Sequence, residues 1–356
     1  MSTGVVLLNF GEPPTADREV VVDYLERIFY SNMDIEEDPD LTPEAAHKRA
    51  GKLAERRAPG LIEEYEEIGG GSPLNDQASA QADALETELR NRGYDVATYS
   101  GMLYTEPFTD EAAERAVADG HDEVLGLPIY PLCGPSTTNL SLDHLSAGLD
   151  EAGFDGELHE VSGWHRHPTY NRLRAENIRE YADSEGVDLH DEDTVLFFSA
   201  HGTPRYYLDE GSRYDRYVDE WCAGMAGILG VEDYELGFQN HDNRSEVVWT
   251  EPDVEEAIES LDAEQVVVEP VSFMHEQSET LSELDIELRE EAEEAGLEEF
   301  YRVPIPHDDD RFPSVLADLA EPFLADFDPG YFQFRQCHCR DKPGTMCLNA
   351  PDPDWD

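Results

Sequence analysis

The fold is decided by residues 194–204, which read TVLFFSAHGTP. The apolar and aromatic run predicts a buried strand, and the glycine and proline after it predict a loop at the carboxyl end of that strand. The same design opens the chain at residues 4–14, GVVLLNFGEPP. Further strand-like runs, alternating with helical segments, occupy residues 95–99, 123–128, 158–161, 234–239 and 265–269. This alternation predicts an α/β protein with two doubly wound, Rossmann-like parallel sheets.

The length of the chain fits two domains of ordinary size, because 356 residues are enough for two separate cores. The strand–helix pattern starts again near residue 150. We therefore expect a first α/β domain over residues 1–150 and a second over residues 151–330. Residues 331–356 are expected to form a C-terminal cysteine-bearing segment.

The charge of the chain is extreme, with 82 acidic and 24 basic residues and a formal net charge of −58. Hydrophobic residues still make up 39 %, so the composition is not that of a disordered acidic chain. An acidic, lysine-poor surface on an ordinary core predicts halophilic adaptation, because salt screens the self-repulsion. The same acidity argues against nucleic-acid binding. With no long apolar stretch and no basic-then-apolar leader, we expect a soluble cytoplasmic protein.

A row of carboxylates follows the strand at residues 265–269. Glu279, Glu283 and Glu287, here called the glutamate ladder, are spaced i, i+4 and i+8, which places them on one face of a predicted helix. Like charges at this spacing repel, so the helix needs a nearby cation or water along that face. The row is suited to carrying a divalent metal ion or protons inward from solvent. The alternative, in so acidic a protein, is a solvated helix face.

His201 is a second candidate, since it ends the strand at residues 194–201, at the edge where α/β sheets bind ligands. Histidine exchanges a proton near neutral pH and is a common metal ligand. A structural histidine is the alternative. His275 lies beside the ladder and is able to join the same cleft. The glycine-rich stretch at residues 69–72 either allows close backbone approach to a ligand or is a flexible turn.

Several of these segments together resemble the ferrochelatases, enzymes that insert ferrous iron into a porphyrin. Residues 198–204, FSAHGTP, and residues 270–287, PVSFMHEQSETLSELDIE, are similar to the two signature segments of that family. The resemblance also covers residues 7–13, 69–73, 130–138 and 164–168, in the order of the family. It therefore spans nearly the whole chain.

The resemblance implies a two-domain chelatase fold with a porphyrin cleft between the domains. The residues matching His201 and Glu279 are the family's catalytic pair, and those matching Glu283 and Glu287 continue the iron path away from the porphyrin. Iron insertion must remove two pyrrole protons, which suits a neutral imidazole backed by a carboxylate. Residues expected to bind the porphyrin are Phe10, Arg27, Ile28, Phe29, Met102, Leu103, Tyr104, Ser136 and Thr137. Arg27 either faces a propionate or is a surface arginine of its helix.

The chain departs from the family pattern at a few positions. Glu12 stands where glycine is frequent, Thr203 stands where leucine is usual, and residues 211–214 and 276–277 also differ. These departures leave open whether the substrate is protoporphyrin IX or coproporphyrin III. A chelatase for another metal or an earlier tetrapyrrole, and a non-catalytic porphyrin- or haem-binding Fe–S protein, are the rival functions. Whether the chain is a monomer or a homodimer is also open.

The five cysteines form an odd set, which argues against a disulfide framework. Cys337, Cys339 and Cys347 resemble the C-terminal cysteines of those ferrochelatases that carry a 2Fe–2S cluster. The resemblance gives Cys133, within residues 130–138, as the fourth ligand. Four thiolates also suit zinc, which is the alternative. Cys222 is expected to be a small buried hydrophobe.

Overall fold

The computed structural model describes residues 2–32, 42–239, 247–325, 340 and 345–348. Within these ranges the strands are β1 (Thr3–Asn9), β2 (Val96–Met102), β3 (Glu123–Pro128), β4 (Glu157–Val161), β5 (Thr194–His201), β6 (Tyr234–Gln239), β7 (Gln265–Val271), β8 (Glu299–Arg302) and β9 (Thr345–Met346).

Helices join these strands in the expected alternation. The α-helices are α1 (Arg18–Ser31), α2 (Pro43–Glu67), α3 (Leu74–Asn91), α4 (Thr109–Ala118), α5 (Leu140–Glu151), α6 (Pro168–Glu185), α7 (Arg205–Asp209), α8 (Tyr214–Leu229), α9 (Val254–Glu259), α10 (Leu288–Ala295) and α11 (Phe312–Leu324). Two segments are π-helical, Pro135–Asn139 before α5 and Glu279–Glu287 before α10.

The strands form two parallel sheets, which confirms the predicted fold class. The first has the order β2-β1-β3-β4-β9 and the second the order β6-β5-β7-β8. Val5 of β1 pairs with Thr98 of β2 and Leu125 of β3, and Phe198 of β5 pairs with Leu236 of β6 and Glu269 of β7. In each sheet a central strand is thus hydrogen-bonded on both sides and shielded from solvent.

The ends of the first sheet differ from the simple reading of the sequence. Strand β4, which the sequence places at the start of the second half, pairs with β3 in the first sheet. Strand β9, from the C-terminal segment, pairs with β4. An apolar run predicts a strand but carries no information on which sheet it joins. The domain ranges 1–150, 151–330 and 331–356 remain a prediction.

One apolar core runs from the first sheet to the second. It contains Leu7 of β1 and Phe198 of β5, and between them Trp164 and Tyr170, whose rings meet edge to face with centroids 5.1 Å apart. The indole N–H of Trp164 donates to the carbonyl oxygen of Pro128, at 3.1 Å, at the end of β3. This shared core fixes the carboxyl ends of the two sheets relative to each other.

A fully buried ion pair supports the loop after β7. Arg174 of α6 donates from Nε to Glu269 Oε1, at 2.8 Å, and from Nη2 to the carbonyl oxygen of Pro270, at 3.0 Å. Both charged side chains are 0 % exposed. The pair therefore anchors the start of the segment that carries the glutamate ladder. Across the ranges described above, no helix is both long and apolar enough to cross a bilayer.

Candidate active site

A cavity of about 410 Å³ opens at the carboxyl ends of β1, β5 and β7. This is the edge at which parallel sheets bind their ligands. Side chains from both halves line it, including Tyr24, Tyr130 and Trp249. Of the residues that the sequence predicts to contact substrate, the cavity is lined by Phe10, Ile28, Phe29, Tyr104, Ser136 and Thr137.

Three predicted substrate residues, Arg27, Met102 and Leu103, lie outside the lining. The guanidinium of Arg27 stacks over the ring of Phe108, 4.4 Å from its centroid. The lining face of α1 carries Leu25, Ile28, Phe29 and Asn32, and a helix turns the intervening position 27 away from that face. Met102 is buried at the end of β2, against Gly11. Leu103 is also buried, and its N–H donates to the carbonyl oxygen of Asn9 at 3.0 Å.

His201 and Glu279 meet on the wall of this cavity. Nε2 of His201 lies 3.0 Å from Oε1 of Glu279, and Nδ1 lies 2.6 Å from the carbonyl oxygen of Gly202. A carbonyl oxygen only accepts hydrogen bonds, so Nδ1 carries a hydrogen. Nε2 and the carboxylate therefore share a second, exchangeable proton. The imidazole is 45 % exposed, toward the cavity.

The charges around this pair favour keeping that proton. The surrounding cavity shields His201 from bulk water, which acts to lower its pKa, but the charge and hydrogen bond of Glu279 outweigh this effect and raise the pKa to about 9. Burial and the charge of Glu279 raise the pKa of Glu283 well above its usual range. The side-chain amide of Gln239 donates to Glu283 Oε2 at 3.1 Å. A further positive charge in the cavity would reverse these shifts and release the protons.

The glutamate ladder lies on a helix, as predicted, but the helix is of the π type over Glu279–Glu287. Glu279 and Glu283 line the cavity, whereas Glu287 is exposed beyond it. The ladder thus leads from His201 to solvent. A sequence pattern of i and i+4 does not separate an α-helix from a π-helix, because both place such residues on about the same face.

The other side of the π-helix is neutralised by an arginine. Arg302 of β8 donates from Nη1 to Glu276 Oε1, at 2.7 Å, and from Nε to Asp285 Oδ1, at 2.9 Å. Its side chain is 6 % exposed. Arg302 supplies the cation that so acidic a helix requires. It does so on the side opposite the glutamate ladder, where His201 contacts Glu279.

Comparison with known proteins identifies the family. A model of the family described as ferrochelatase matches residues 2–323. The chain belongs to the ferrochelatase family. It is 36 % identical over 335 residues to the ferrochelatase of Synechococcus sp. (strain RCC307), covering 90 % of this chain and 82 % of that protein. It is also 36 % identical over 334 residues to the ferrochelatase of Picosynechococcus sp., with the same coverage.

Among solved structures, the chain is similar to SirB from Bacillus subtilis with Fe³⁺. The TM-score is 0.52 at 12 % identity, covering 92 % of this chain and 99 % of that one. At such low identity the similarity supports the fold alone. The fold and the family agree, and the catalytic pair predicted from the ferrochelatase signature segments lies together on one cavity wall.

Glu12 was not predicted as a site residue, whereas His275 was expected to join the cleft and lines the cavity. Glu12, recorded in the sequence only as a departure from the family pattern, lines the cavity and accepts hydrogen bonds from Ser278. His275 is 2 % exposed, and both of its ring nitrogens have partners, Asn9 and Gln81. Burial and nearby His307 lower its pKa to about 3, so it is neutral. Its place beside the ladder in the sequence gave no sign of these distant partners.

The cysteines predicted to bind the cluster are described in part. Cys133 and Cys347 are both buried in the large core, and Cys133 Sγ lies 3.8 Å from Oδ1 of Asn139. Cys337 and Cys339 lie outside the described residues. Arg340 also contacts Asn139, whose carbonyl oxygen lies 3.5 Å from its Nη1. Two of the four predicted ligands are thus described, both of them buried, and the metal centre stays a prediction.

Arg340 itself is firmly held. It donates to both carboxylate oxygens of buried Glu160, from Nε at 2.6 Å and from Nη2 at 2.8 Å, and from Nη1 to Asp143 at 2.8 Å. A bidentate pair of this kind fixes geometry as well as charge. Cys222 on α8 is buried in the same large core, and burial raises the pKa of its thiol well above its usual range. Burial and the raised pKa both disfavour the reactive thiolate form, as expected of a structural cysteine.

Proposed function

We propose that this ferrochelatase inserts ferrous iron into a porphyrin bound in the cavity, with His201 and Glu279 as its proton-transfer pair. The observation that carries the proposal is the 3.0 Å contact between Nε2 of His201 and Glu279, on the wall of a cavity that several aromatic side chains line. This reaction is the iron-insertion step of haem biosynthesis.

The protons released in the reaction define the roles of His201 and the glutamate ladder. Insertion of Fe²⁺ into the free-base porphyrin releases two protons from pyrrole nitrogens. Nε2 of His201 accepts the two pyrrole protons one after the other, because Nδ1 is committed to the carbonyl oxygen of Gly202, and it passes the first to Glu279 before it accepts the second. The charge of the arriving iron first displaces the proton shared with Glu279. Protons then leave along Glu279, Glu283 and Glu287 to solvent, by the same path along which the iron enters.

The lining of the cavity supplies binding energy at the edge of the macrocycle. The rings of Phe10 and Tyr104 meet edge to face with centroids 4.6 Å apart, and Tyr24 packs beside both. Aromatic surfaces of this kind bind a flat apolar ring. The binding energy of these contacts at the edge of the porphyrin is then available to distort the ring and expose its nitrogen lone pairs. Ser136 and Thr137 supply polar contacts.

The C-terminal segment is proposed to hold a 2Fe–2S cluster through Cys133, Cys337, Cys339 and Cys347. Backbone hydrogen bonds that link the two segments support it: the N–H of Leu348, next to Cys347, donates to the carbonyl oxygen of Gly163 at 2.8 Å, and the N–H of Trp164 donates to that of Pro131, two residues before Cys133, at 2.9 Å. In this role the cluster is structural, since its thiolates tie the segment to the first sheet. Zinc held by the same thiolates is the alternative.

The test is metal insertion by the purified protein at high salt. Fe²⁺, Co²⁺ and Zn²⁺ are each supplied with protoporphyrin IX and with coproporphyrin III, and insertion is followed by the change in porphyrin absorbance. His201→Ala should lower turnover by a factor of about 100 or more, as expected for loss of an acid–base group, while porphyrin binding persists. His144→Ala, which changes an exposed histidine of α5, is the matched control.

Three results would contradict the proposal or redirect it. Near-normal turnover by His201→Ala would end the assignment of the base. Porphyrin binding by the wild type without insertion of any metal would indicate a carrier instead of an enzyme. Insertion of Co²⁺ alone would indicate a chelatase for another metal.

A further inference from the structure

The loop after β1 carries a buried acid that the catalytic pair does not include. Glu12 is 3 % exposed and lines the cavity. Its Oε2 accepts a hydrogen bond from the backbone N–H of Ser278, at 3.1 Å, and its Oε1 accepts one from the hydroxyl of Ser278, at 2.5 Å. Ser278 directly precedes Glu279. Both oxygens of Glu12 are therefore bound to the residue beside the proton-transfer carboxylate.

The backbone of Glu12 is itself fixed by the first half of the chain. Its N–H donates to Asn75 Oδ1 of α3, at 3.0 Å, and Nδ2 of Asn75 donates to Thr105 Oγ1, at 3.0 Å. Gly11 has a φ of +78°. A Cβ at this position would lie 2.3 Å from Thr105 Oγ1, so both the backbone conformation and the space require glycine.

The glycine-rich stretch at residues 69–72 packs against the same loop from its other side. The N–H of Ser72 donates to the carbonyl oxygen of Pro13, at 2.9 Å, and the N–H of Ala16 donates to the carbonyl oxygen of Gly70, at 2.7 Å. A Cβ on Gly71 would lie 2.2 Å from the carbonyl oxygen of Pro14. The close approach that these glycines allow is therefore to residues 13–16, and it holds the loop that carries Glu12.

A negative charge on Glu12 costs electrostatic free energy at this buried position. Burial and the charge of Glu279 raise the pKa of Glu12 to about 7, in spite of its hydrogen bonds from Ser278 and Ser72. In return the carboxylate satisfies the N–H of Ser278 at the start of the π-helix, where backbone donors lack helical partners. A negative charge at this end is also favoured by the helix dipole.

We propose that Glu12 is a positioning residue for iron insertion: through Ser278 it holds the start of the π-helix so that Glu279 keeps its contact with His201. The inference rests on the proposed function, because it requires that Glu279 take part in proton transfer. Glu12 belongs to the first half and Glu279 to the second. The link thus sets the catalytic carboxylate relative to the half that contributes Phe10 and Tyr24 to the cavity.

The test compares Glu12→Ala and Glu12→Gln by steady-state insertion of Fe²⁺. Glu12→Ala removes both acceptors and should lower kcat by a factor of roughly 10 to 100, as expected when a supporting hydrogen bond is lost. The affinity for the porphyrin, measured by fluorescence, should change by less than about twofold, since binding of the ring does not depend on the position of Glu279. Glu12→Gln keeps one acceptor for the N–H and should recover most of the activity.

Two further variants separate positioning from general damage. Ser278→Ala removes the hydroxyl only and should lower kcat several-fold at an unchanged melting temperature. Glu114→Ala changes an exposed glutamate of α4 and should leave kcat unchanged. In a Glu279→Gln background, Glu12→Ala should cause no further loss, because Glu12 acts through Glu279.

The outcomes are distinguishable from failure of the proposed function. Wild-type kcat in both Glu12→Ala and Ser278→Ala, or a full additional loss in the Glu279→Gln background, would overturn the positioning role of Glu12 alone. Wild-type kcat in Glu279→Gln would instead remove the proton-transfer role, and the present inference with it.

Discussion

The side-chain amide of Asn9 lies 3.1 Å from Nδ1 of His275, which joins the end of β1 directly to the loop after β7. Nε2 of His275 lies 2.7 Å from Oε1 of Gln81. An amide nitrogen donates and an amide oxygen accepts, so Nδ1 accepts and Nε2 donates. This arrangement requires a neutral imidazole, and it connects the two halves behind the catalytic cavity.

This neutral histidine predicts a loss of stability in acid. Burial lowers the pKa of His275 to about 3 in the folded chain, whereas the unfolded chain takes up the proton near pH 6.5. Above pH 6.5 the titration of His275 does not change the free energy of unfolding. As the pH falls from 6.5 toward 3, the unfolded chain gains the proton and the free energy of unfolding decreases. The slope is at most about 1.4 kcal/mol per pH unit.

The measurement is urea unfolding at molar salt, at pH 7.5 and at pH 5. His275→Gln, which does not titrate, should lose less stability between the two pH values than the wild type. An equal loss in both proteins would contradict the neutral, buried state of His275.

The glutamate ladder predicts an order of effects on turnover. Glu279→Gln should lower kcat most, because Glu279 contacts His201 at 3.0 Å. Glu283→Gln should be intermediate, since Glu283 lines the cavity, and Glu287→Gln should be mildest, since Glu287 is exposed. Steady-state insertion of Fe²⁺ checks this order, with exposed Glu290 of α10 changed to Gln as the control. The reverse order would mean that the path runs in another direction.

The cysteine assignment predicts a coloured protein. Protein purified without oxygen should contain iron and sulfide and absorb visible light. Cys133→Ser should lose both and be less stable, because loss of a ligand frees the C-terminal segment. Cys222→Ser, the matched control, should keep the colour. Zinc without sulfide would indicate a structural four-thiolate zinc site, and bleaching by Cys222→Ser alone would identify a different fourth ligand.

The net charge of −58 predicts stabilisation by salt. The screening length falls from about 30 Å at 0.01 M salt to about 3 Å at 1 M, so repulsion across the surface is largely removed. The melting temperature and the activity should both rise over this range. A flat melting temperature would refute halophilic adaptation and leave the acidity without an explanation.

The buried pair of Arg174 and Glu269 predicts strong coupling. Arg174→Met leaves the carboxylate of Glu269 buried and uncompensated, which should cost about 3–5 kcal/mol of the free energy of unfolding. The double variant Arg174→Met with Glu269→Met should regain most of this loss, because no charge then remains in the core. Denaturant unfolding of both single variants and the double variant measures the coupling. Additive losses would contradict it.

Much of the architecture follows from local pattern. Runs such as residues 194–201 and 265–271 predict buried strands because their apolar residues have no other low-energy place in a folded chain. Their alternation with helices predicts parallel sheets, and the carboxyl ends of such strands meet at one edge. His201, at the end of one such strand, lines the cavity. The spacing of Glu279 and Glu283 likewise predicted a shared helix face.

Tertiary structure alone decided the rest. No local pattern shows that β4 joins the first sheet, that Arg27 turns toward Phe108, or that the ladder helix is of the π type. The bond between Glu12 and Ser278 spans 266 residues of sequence, and that between Asn9 and His275 also spans 266. Periodicity reports only how a residue relates to its near neighbours along the chain. Contacts of this kind form when two separately patterned sheets pack, so the core that joins the sheets determines them.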